Sequence, residues 1–224
     1  SMSWITKTFS SSIGRKIIMA ITGLFLCTFL VVHLIGNLQL FKDDGGVAFN
    51  VYSHFMSTNG LIRVAEIILV AGFGFHIYES IVLTRRNQSA RGSKYVADHI
   101  EQNSNWRSRN MGLLGSIILV FLVMHLYNFY WRFHYGEVGL DAEGNKDLYG
   151  IVKESFQIWW YVALYVAAQV ALCYHLLHGF ASGFQTLGLT HRKYTPLIRN
   201  IGYAFSILVC AGFAAMPLYF FFFK

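Results

Sequence analysis

The chain has 224 residues, of which 55% are hydrophobic and only 13% are charged. Soluble globular domains carry about 25% charged residues, so this composition excludes an ordinary soluble protein and favours a lipid environment. The formal net charge is +7. Because the basic residues stand in short stretches between apolar runs, they indicate membrane orientation, and we expect no nucleic-acid partner.

Five apolar stretches are long enough to cross a membrane as helices, which takes about 20 residues each. They cover residues 17–40, 62–83, 111–133, 156–184 and 201–223. No low-complexity linker interrupts them. We therefore expect an all-α membrane protein with a single membrane domain over residues 1–224. Pro217 in the last stretch predicts a kink or a local weakening of that helix.

Lysine and arginine are unevenly divided between the two sides of the predicted bundle. Twelve fall on the side of the amino terminus, namely Lys7, Arg15, Lys16, Arg85, Arg86, Arg91, Lys94, Arg107, Arg109, Arg192, Lys193 and Arg199. The other side has six, diluted by most of the acidic residues. The positive-inside rule then predicts a cytoplasmic amino terminus.

Four consecutive predicted spans each contain a histidine at membrane depth. These residues are His33, His76, His125 and His175, and His178 follows one turn after the last. Ionisable side chains inside spans are rare and mark functional sites by default. A single histidine is explained equally well by hydrogen bonding to a neighbouring helix, but four in consecutive spans are not.

Two of these histidines are predicted to lie near the outer side of the membrane. At the helical rise of 1.5 Å per residue, His33 is about 27 Å along its helix from Arg15, and His125 is about 24 Å from Arg109. Both distances approach the full thickness of a hydrocarbon core of about 30 Å. We expect these two residues to form an outer pair.

The other two histidines are predicted to lie nearer the cytoplasm, because their spans run the opposite way. His76 is about 13 Å along its helix from Arg85, and His175 lies at a comparable depth. Two imidazoles that face each other across a helical bundle suit the axial ligation of haem iron. The first four spans are thus predicted to form a bundle that binds two b haems, one at each pair.

Other metal chemistry fits the pattern less well. Two ligands per level leave a tetrahedral zinc site half empty. The three cysteines lie in apolar runs without a CxxC or CxxCH motif, which gives no support to a thiolate site or to covalent c-type haem. Gly36, Gly72 and Gly179 lie three or four residues from a proposed ligand. They either make room for a flat macrocycle or serve ordinary helix packing.

Four segments carry a resemblance to a known family: GRKIIMAITGLFLCTFLVVHLIGN (14–37), EIILVAGFGFHIYES (66–80), LVMHLYNFYW (122–131) and CYHLLHGFASGFQTLG (173–188). Together they resemble the diheme, single-chain cytochrome b558 subunit of succinate dehydrogenase and fumarate reductase. In that family the ligand of the fourth helix is followed four residues later by glycine and then by an apolar residue. Gly179 and Phe180 match this for His175, so His178 is the alternative ligand or a propionate contact.

The resemblance implies a respiratory membrane anchor in a bacterial inner membrane. A flavoprotein subunit would interconvert succinate and fumarate, an iron–sulphur subunit would relay electrons, and this chain would supply two haems b and a site for menaquinone or another quinone. The partner subunits would dock on the basic cytoplasmic side. The hydrophilic stretch 132–155 is longer than the family leads us to expect.

A quinone site needs a group that exchanges protons close to a haem. Glu66 lies about one turn inside the outer end of the second span. Arg63, Asn59 and His54 precede it. We expect these four residues to border an outer quinone pocket, with Glu66 or His54 exchanging the proton. The alternative for Glu66 is a salt bridge with Arg63.

Two rival functions remain open at the level of the sequence. The chain is alternatively the cytochrome b of a hydrogenase, formate dehydrogenase or nitrate reductase, which predicts the same haems with other soluble partners. A haem-free transporter would use its histidines to relay protons, and it leaves the pairing at two depths unexplained.

Overall fold

The computed structural model describes residues 3–91 and 110–224, which are helical apart from turns and one short loop. In chain order the elements are α1 (Trp4–Ser10), α2 (Ser12–Asn37), a 3₁₀ turn (Leu38–Phe41), α3 (Val47–Thr58), α4 (Gly60–Arg91), α5 (Met111–His125), a π-helical segment (Leu126–Trp131), α6 (Arg132–Tyr135), α7 (Leu148–Ser155), α8 (Trp159–Thr186) and α9 (Thr195–Phe223). No strand occurs in the described ranges; an isolated bridge joins Leu140 and Lys146.

Five helical stretches are long and apolar enough to cross a membrane, which confirms the predicted all-α fold with five spans. They are Ser12–Phe41, Gly60–Ser89, Met111–Tyr135, Trp159–Thr186 and Thr195–Phe223. Large apolar side chains such as Leu61, Ile67 and Val120 are exposed along the second and third spans. An apolar surface of this extent is typical of lipid contact, so the chain is a multi-pass membrane protein.

Helices α2 and α8 occupy the centre of the bundle. α2 packs against α4, α8 and α9, whereas α8 packs against α2, α5 and α9. The fifth span therefore lies against the first and fourth. Since consecutive spans alternate in direction, α2 and α5 run one way while α4 and α8 run the other. We call the end that carries residues 38–59 and 136–158 the outer end, and the opposite end the inner end.

Local sequence explains where several helices begin. Ser11, Asn59 and Asp147 each accept a backbone N–H from the first turn of α2, α4 and α7, which satisfies donors that a helix leaves free. Helix α9 continues unbroken through Pro217, which is buried in the bundle. The proline therefore does not end the helix, because neighbouring helices support its backbone.

The hydrophilic stretch 132–155 folds as a cap over the outer end. Asn50 on α3 is only 1% exposed, and its amide nitrogen donates to Asp141 and Asp147 at 3.0 and 2.9 Å. Its carbonyl oxygen accepts the backbone N–H of Tyr149 at 2.9 Å. Gly46 has a φ of 89°, and a Cβ at this position would overlap the Tyr149 ring. These contacts join α3 to α7, which gives the unexpectedly long stretch a structural role.

The main hydrophobic core lies under this cap rather than at mid-membrane. Its buried members are Leu40, Phe49, Tyr149, Val152, Phe156, Tyr161, Val162, Tyr165, Met216 and Phe220. They come from the 3₁₀ turn, α3, α7 and the residue after it, the start of α8 and the end of α9. The outer end is thus held by side-chain packing and by the polar contacts of Asn50 together.

Candidate functional site

The outer histidine pair joins the first and third spans. His33 on α2 and His125 at the end of α5 are half-buried, and their ring centroids are 5.8 Å apart with planes at 90°. Phe29 stacks on His33 at 5.2 Å, and Phe121 stacks on His125 at 5.6 Å. Phe213 of the fifth span also contacts His33. Aromatic rings therefore hold both outer imidazoles.

The inner pair joins the second and fourth spans. The ring centroids of His76 on α4 and His175 on α8 are 6.4 Å apart, with planes at 80°. A Cβ added at Gly23 would lie 3.2 Å from the His76 ring, and one at Gly115 would lie 3.9 Å from the His175 ring. Glycine residues rather than aromatic side chains therefore lie beside the imidazoles of the inner pair.

Both ring separations fit two axial ligands of one metal ion. A bond from a metal to an imidazole nitrogen is about 2 Å long and the ring centre lies about 1 Å further, so two opposed ligands place their ring centres about 6 Å apart. The observed separations of 5.8 and 6.4 Å match this value. Haem requires only two protein ligands, since its macrocycle supplies the others. Each pair therefore has the ring separation and the number of ligands that a six-coordinate haem would take.

The two pairs lie at distinct levels. Gly115 contacts the inner pair, and it precedes His125 of the outer pair by ten residues, or about 15 Å of helix. On α8, Tyr165 contacts His125 ten residues before His175, which gives the same spacing. Independent helices thus agree on a separation of about 15 Å between the levels.

Hydrogen bonds to the four rings involve Nδ1 in the described parts of the chain. Thr22 Oγ1 lies 3.2 Å from Nδ1 of His76, and the Tyr165 hydroxyl lies 3.2 Å from Nδ1 of His125. The amide nitrogen of Asn37 is 3.4 Å from Nδ1 of His33. Nδ1 of His175 is buried without a hydrogen-bond partner. The two hydroxyls can accept Nδ1–H of His76 and His125, a tautomer that leaves Nε2 of these two rings available to a metal.

His178 lies one turn beyond His175 on α8 and is half-buried. The ring that faces His76 across the bundle is that of His175. This contact favours His175 over His178 as the second member of the inner pair.

The glycines identified in the sequence divide into two groups. A Cβ at Gly36 would overlap the Tyr52 ring, and a Cβ at Gly72 would come within 2.9 Å of the Phe25 ring. These two glycines therefore serve helix packing, the alternative interpretation. Gly179 has open space around it. Gly23 lies beside His76 and Gly115 beside His175. The sequence did not reveal these two glycines, because each lies on a different span from the histidine that it approaches.

Glu66 lies in a polar cluster at the outer ends of the second and third spans. It forms an ion pair with Arg63 and accepts a hydrogen bond from the hydroxyl of Tyr130. His134 stacks on Tyr130 at 4.2 Å, with its Nε2 3.5 Å from the Arg63 guanidinium. The sequence identified Glu66 and Arg63 but missed Tyr130 and His134, which reach this place from the third span.

The other two predicted members of the quinone site are placed differently. The side chain of Asn59 caps α4, where its oxygen accepts the N–H groups of Leu61 and Ile62 at 3.0 and 3.2 Å. His54 is exposed on α3. No hydrogen bond or ion pair between described residues joins either side chain to Glu66.

A buried ion pair links the first two spans toward the inner end. Both carboxylate oxygens of Glu79 accept from Arg15 Nη1, at 3.1 and 3.0 Å, and the two side chains are 6% and 14% exposed. Glu79 follows His76 by three residues. Six basic residues between positions 85 and 109 belong to the side on which partner subunits are predicted to dock. Four of them have side chains outside the described residues, namely Arg91, Lys94, Arg107 and Arg109.

Within residues 3–91 and 110–224 no group of three or more His, Cys, Asp or Glu side chains is placed to hold a metal ion. The histidine sites are pairs, and two is the number of protein ligands that a six-coordinate haem would take. Comparisons of the chain with models of protein families, with curated proteins and with solved structures find no match.

Proposed function

We propose that this chain is a two-haem cytochrome b that passes electrons between a quinone pool and a soluble dehydrogenase. The observation that carries the proposal is the presence of two histidine pairs with ring separations of 5.8 and 6.4 Å at two levels of a transmembrane bundle. One pair would suit several roles. Two pairs at different depths suit a path along which electrons cross the membrane.

His33 and His125 would hold the outer haem, and His76 and His175 would hold the inner one. When bound, each haem supplies one-electron redox chemistry, since its iron cycles between the ferric and ferrous states. The four histidines would supply the nitrogen ligands, and the residues around them would fix the orientation of the imidazoles and exclude water. At the outer level Phe29 and Phe121 fix the orientation of the imidazoles by stacking on their faces.

Among cytochromes b, we place the chain as the anchor of a succinate dehydrogenase or fumarate reductase. The four segments that resemble the cytochrome b558 subunit support this choice. The complex would include a flavoprotein subunit, where the succinate and fumarate chemistry takes place, and an iron–sulphur subunit. The excess of Lys and Arg on the side of the amino terminus supports a cytoplasmic docking face in a bacterial inner membrane.

The quinone site would lie at the outer level, beside the cluster around Glu66. A quinone takes up or releases protons with its electrons, so its site needs a carboxylate or imidazole within reach. Glu66 would exchange the proton, while its ion pair with Arg63 and the hydrogen bond from Tyr130 would hold the carboxylate in place. His54 and Asn59 stay as proposed border residues at the same end of the bundle.

The first experiment is a dithionite-reduced minus oxidised visible spectrum of the purified chain, with a pyridine haemochrome count of haem b. Two haems per chain are expected. One haem would mean that a proposed pair does not bind, and no haem in a folded preparation would contradict the proposal and favour the transporter.

A second measurement separates this anchor from other cytochromes b. The complex purified from its native membrane is expected to contain covalent flavin and to oxidise succinate with a quinone acceptor. A preparation with two haems that oxidises hydrogen or formate instead would keep the cytochrome and reject the succinate dehydrogenase assignment.

A further inference from the structure

We propose that Tyr165 and Thr22 are positioning residues of the two haem sites, each fixing one axial histidine from a neighbouring span. This inference rests on the proposed function. Both residues present a hydroxyl to Nδ1 of a ligand, Tyr165 to His125 and Thr22 to His76, and each distance is 3.2 Å. Neither residue touches the metal in this arrangement. Each acts through the histidine that it holds.

The role of Thr22 follows from the single proton of its hydroxyl. Thr22 Oγ1 donates to the carbonyl of Ile18 at 2.7 Å and lies 3.2 Å from the carbonyl of Met19. Because this proton is already directed at its own helix, the oxygen has only lone pairs to offer His76. His76 must therefore donate through Nδ1–H. That tautomer leaves the lone pair on Nε2 for iron.

Tyr165 belongs to the hydrophobic core under the outer cap and is only 5% exposed. Its hydroxyl contacts His125 on one side and the hydroxyl of Tyr161 at 3.1 Å on the other. If Nε2 of His125 held iron, Nδ1 would carry the ring proton and donate it to the Tyr165 hydroxyl. The proton of Tyr165 then points to Tyr161.

Tyr161 is itself fixed by Asn128 of the π-helical segment. The Asn128 amide nitrogen donates to Tyr161 at 3.0 Å and to Ser155 at 2.9 Å. Ser155 donates its proton to the carbonyl of Ile151 at 2.7 Å, so it accepts from Asn128. The hydrogen bonds thus form one chain from His125 to the base of the outer cap. A buried chain of this kind holds its members in a single geometry.

Among the described residues, the second histidine at each level has no such partner. Nδ1 of His175 is buried without a hydrogen bond. Asn37 offers His33 an amide nitrogen, which is a donor and cannot accept Nδ1–H. Asn37 also donates to the backbone carbonyl of His33 at 2.7 Å, which fixes the orientation of that amide. Each level therefore combines one anchored ligand with one unanchored ligand.

The anchoring has a measurable consequence. A hydrogen bond from Nδ1–H to an acceptor makes the imidazole a stronger base toward the metal. A stronger base stabilises ferric over ferrous iron, so the hydroxyl lowers the reduction potential of its haem. Removal of the hydroxyl is expected to raise that potential.

The test is a redox titration of the full chain in detergent, followed by the visible spectra of the two b haems. Y165F is expected to raise the potential of the outer haem and leave the inner one unchanged. T22V is expected to raise the potential of the inner haem and leave the outer one unchanged. T22S, which keeps the hydroxyl, is expected to have the wild-type potential. Y161F should shift the outer haem by less than Y165F, since it acts one hydrogen bond further away.

Haem counts and low-spin ferric electron paramagnetic resonance spectra accompany every titration. Two retained haems with one shifted potential and one altered resonance support the inference. Unchanged potentials, or equal shifts of both haems, would overturn it while leaving the cytochrome proposal intact. Absence of haem from the wild-type chain would remove both. If Y165F fails to fold, the pair T22V and T22S decides the question for the inner level.

Discussion

The outer and inner histidine pairs have similar ring separations but differ in the residue one turn before each ligand. At the outer level this residue is Phe29 before His33 and Phe121 before His125. Both phenylalanines stack on their ligand, with interplanar angles of 22° and 26°. Each outer imidazole is therefore oriented by a phenylalanine side chain on its own helix.

At the inner level the same position holds Gly72 before His76 and Ala171 before His175. No aromatic ring of the described residues other than their own partner lies against these two imidazoles. Since the spans alternate in direction, each of these four residues lies closer than its histidine to the mid-depth of the membrane. The comparison teaches that one arrangement of paired imidazoles is built in two ways, by aromatic packing at the outer level and by small residues at the inner level.

The ligand substitutions are expected to have the largest effect. H33A and H125A should each remove the outer haem, and H76A and H175A should each remove the inner one, because one axial bond is lost. The pyridine haemochrome count is expected to fall from two to one.

His178→Ala is the matched control for the inner level, and it should keep both haems. Loss of the inner haem in H178A but not in H175A would contradict the assignment. Loss of both haems in every variant would mean that the two levels do not fold independently.

The outer cap offers the next test of the comparison. Asn50→Ala removes the donor to Asp141 and Asp147 and the acceptor of a buried backbone N–H. We expect a loss of about 1–3 kcal/mol in the free energy of unfolding, because buried groups lose their partners. Thermal denaturation followed at the haem bands should show the outer haem released before the inner one.

Thr58→Ala on the same helix is the control for this loss. Within the described parts of the chain its hydroxyl bonds only to the carbonyl of His54, one turn earlier, and the residue is exposed. A melting temperature of N50A equal to that of T58A would show that the cap does not stabilise the outer level.

The small residues of the inner level can be tested by adding single methyl groups. Gly23→Ala places a carbon 3.2 Å from the His76 ring, closer than an ordinary contact. We expect a disturbed inner-haem spectrum and a partial loss of that haem, although alanine favours a helix over glycine by about 1 kcal/mol. Gly74→Ala, which meets open space, should leave both spectra unchanged. An unaltered G23A spectrum would show that His76 has room to move.

The smallest effect is expected at the exposed pair of Asp43 and Lys224, whose charged atoms are 2.9 Å apart. The hydrogen bond and the charge of Lys224 lower the pKa of Asp43. The pair therefore stabilises the fold above the ordinary aspartate pKa and loses this contribution as the pH falls through the lowered value. D43N should flatten the dependence of the melting temperature on acid pH only slightly, and high salt should have the same effect on the wild-type chain. A large change would indicate that this pair is shielded from solvent.

Much of the fold could be predicted because lipid imposes a simple requirement on sequence. About 20 apolar residues are needed for each span, and five stretches met this length. The levels of the histidines followed from helical rise alone, and the structure brings together the rings that share a level. That these rings bind iron stays a prediction.

The supporting residues could not be predicted in the same way. Thr22 and Tyr165 are ordinary residues of apolar spans, and only the rotation of one helix against another brings them to a ligand. Glu79 did carry a signal, since a carboxylate within the predicted second span needs a partner. Its partner, Arg15, is 64 positions away in the sequence, so only the fold identifies it.

The π-helical segment after His125 has a consequence for the length of the chain. A π turn accommodates one residue more than an α turn. A chain shorter by one residue directly after His125 would continue as a plain α-helix, with every later residue rotated by about 100° around the axis. His125 would keep its place, while Tyr130 and His134 would turn away from Glu66. The one extra residue of this turn is therefore what lets the third span present His125 to His33 and, further along, Tyr130 to Glu66.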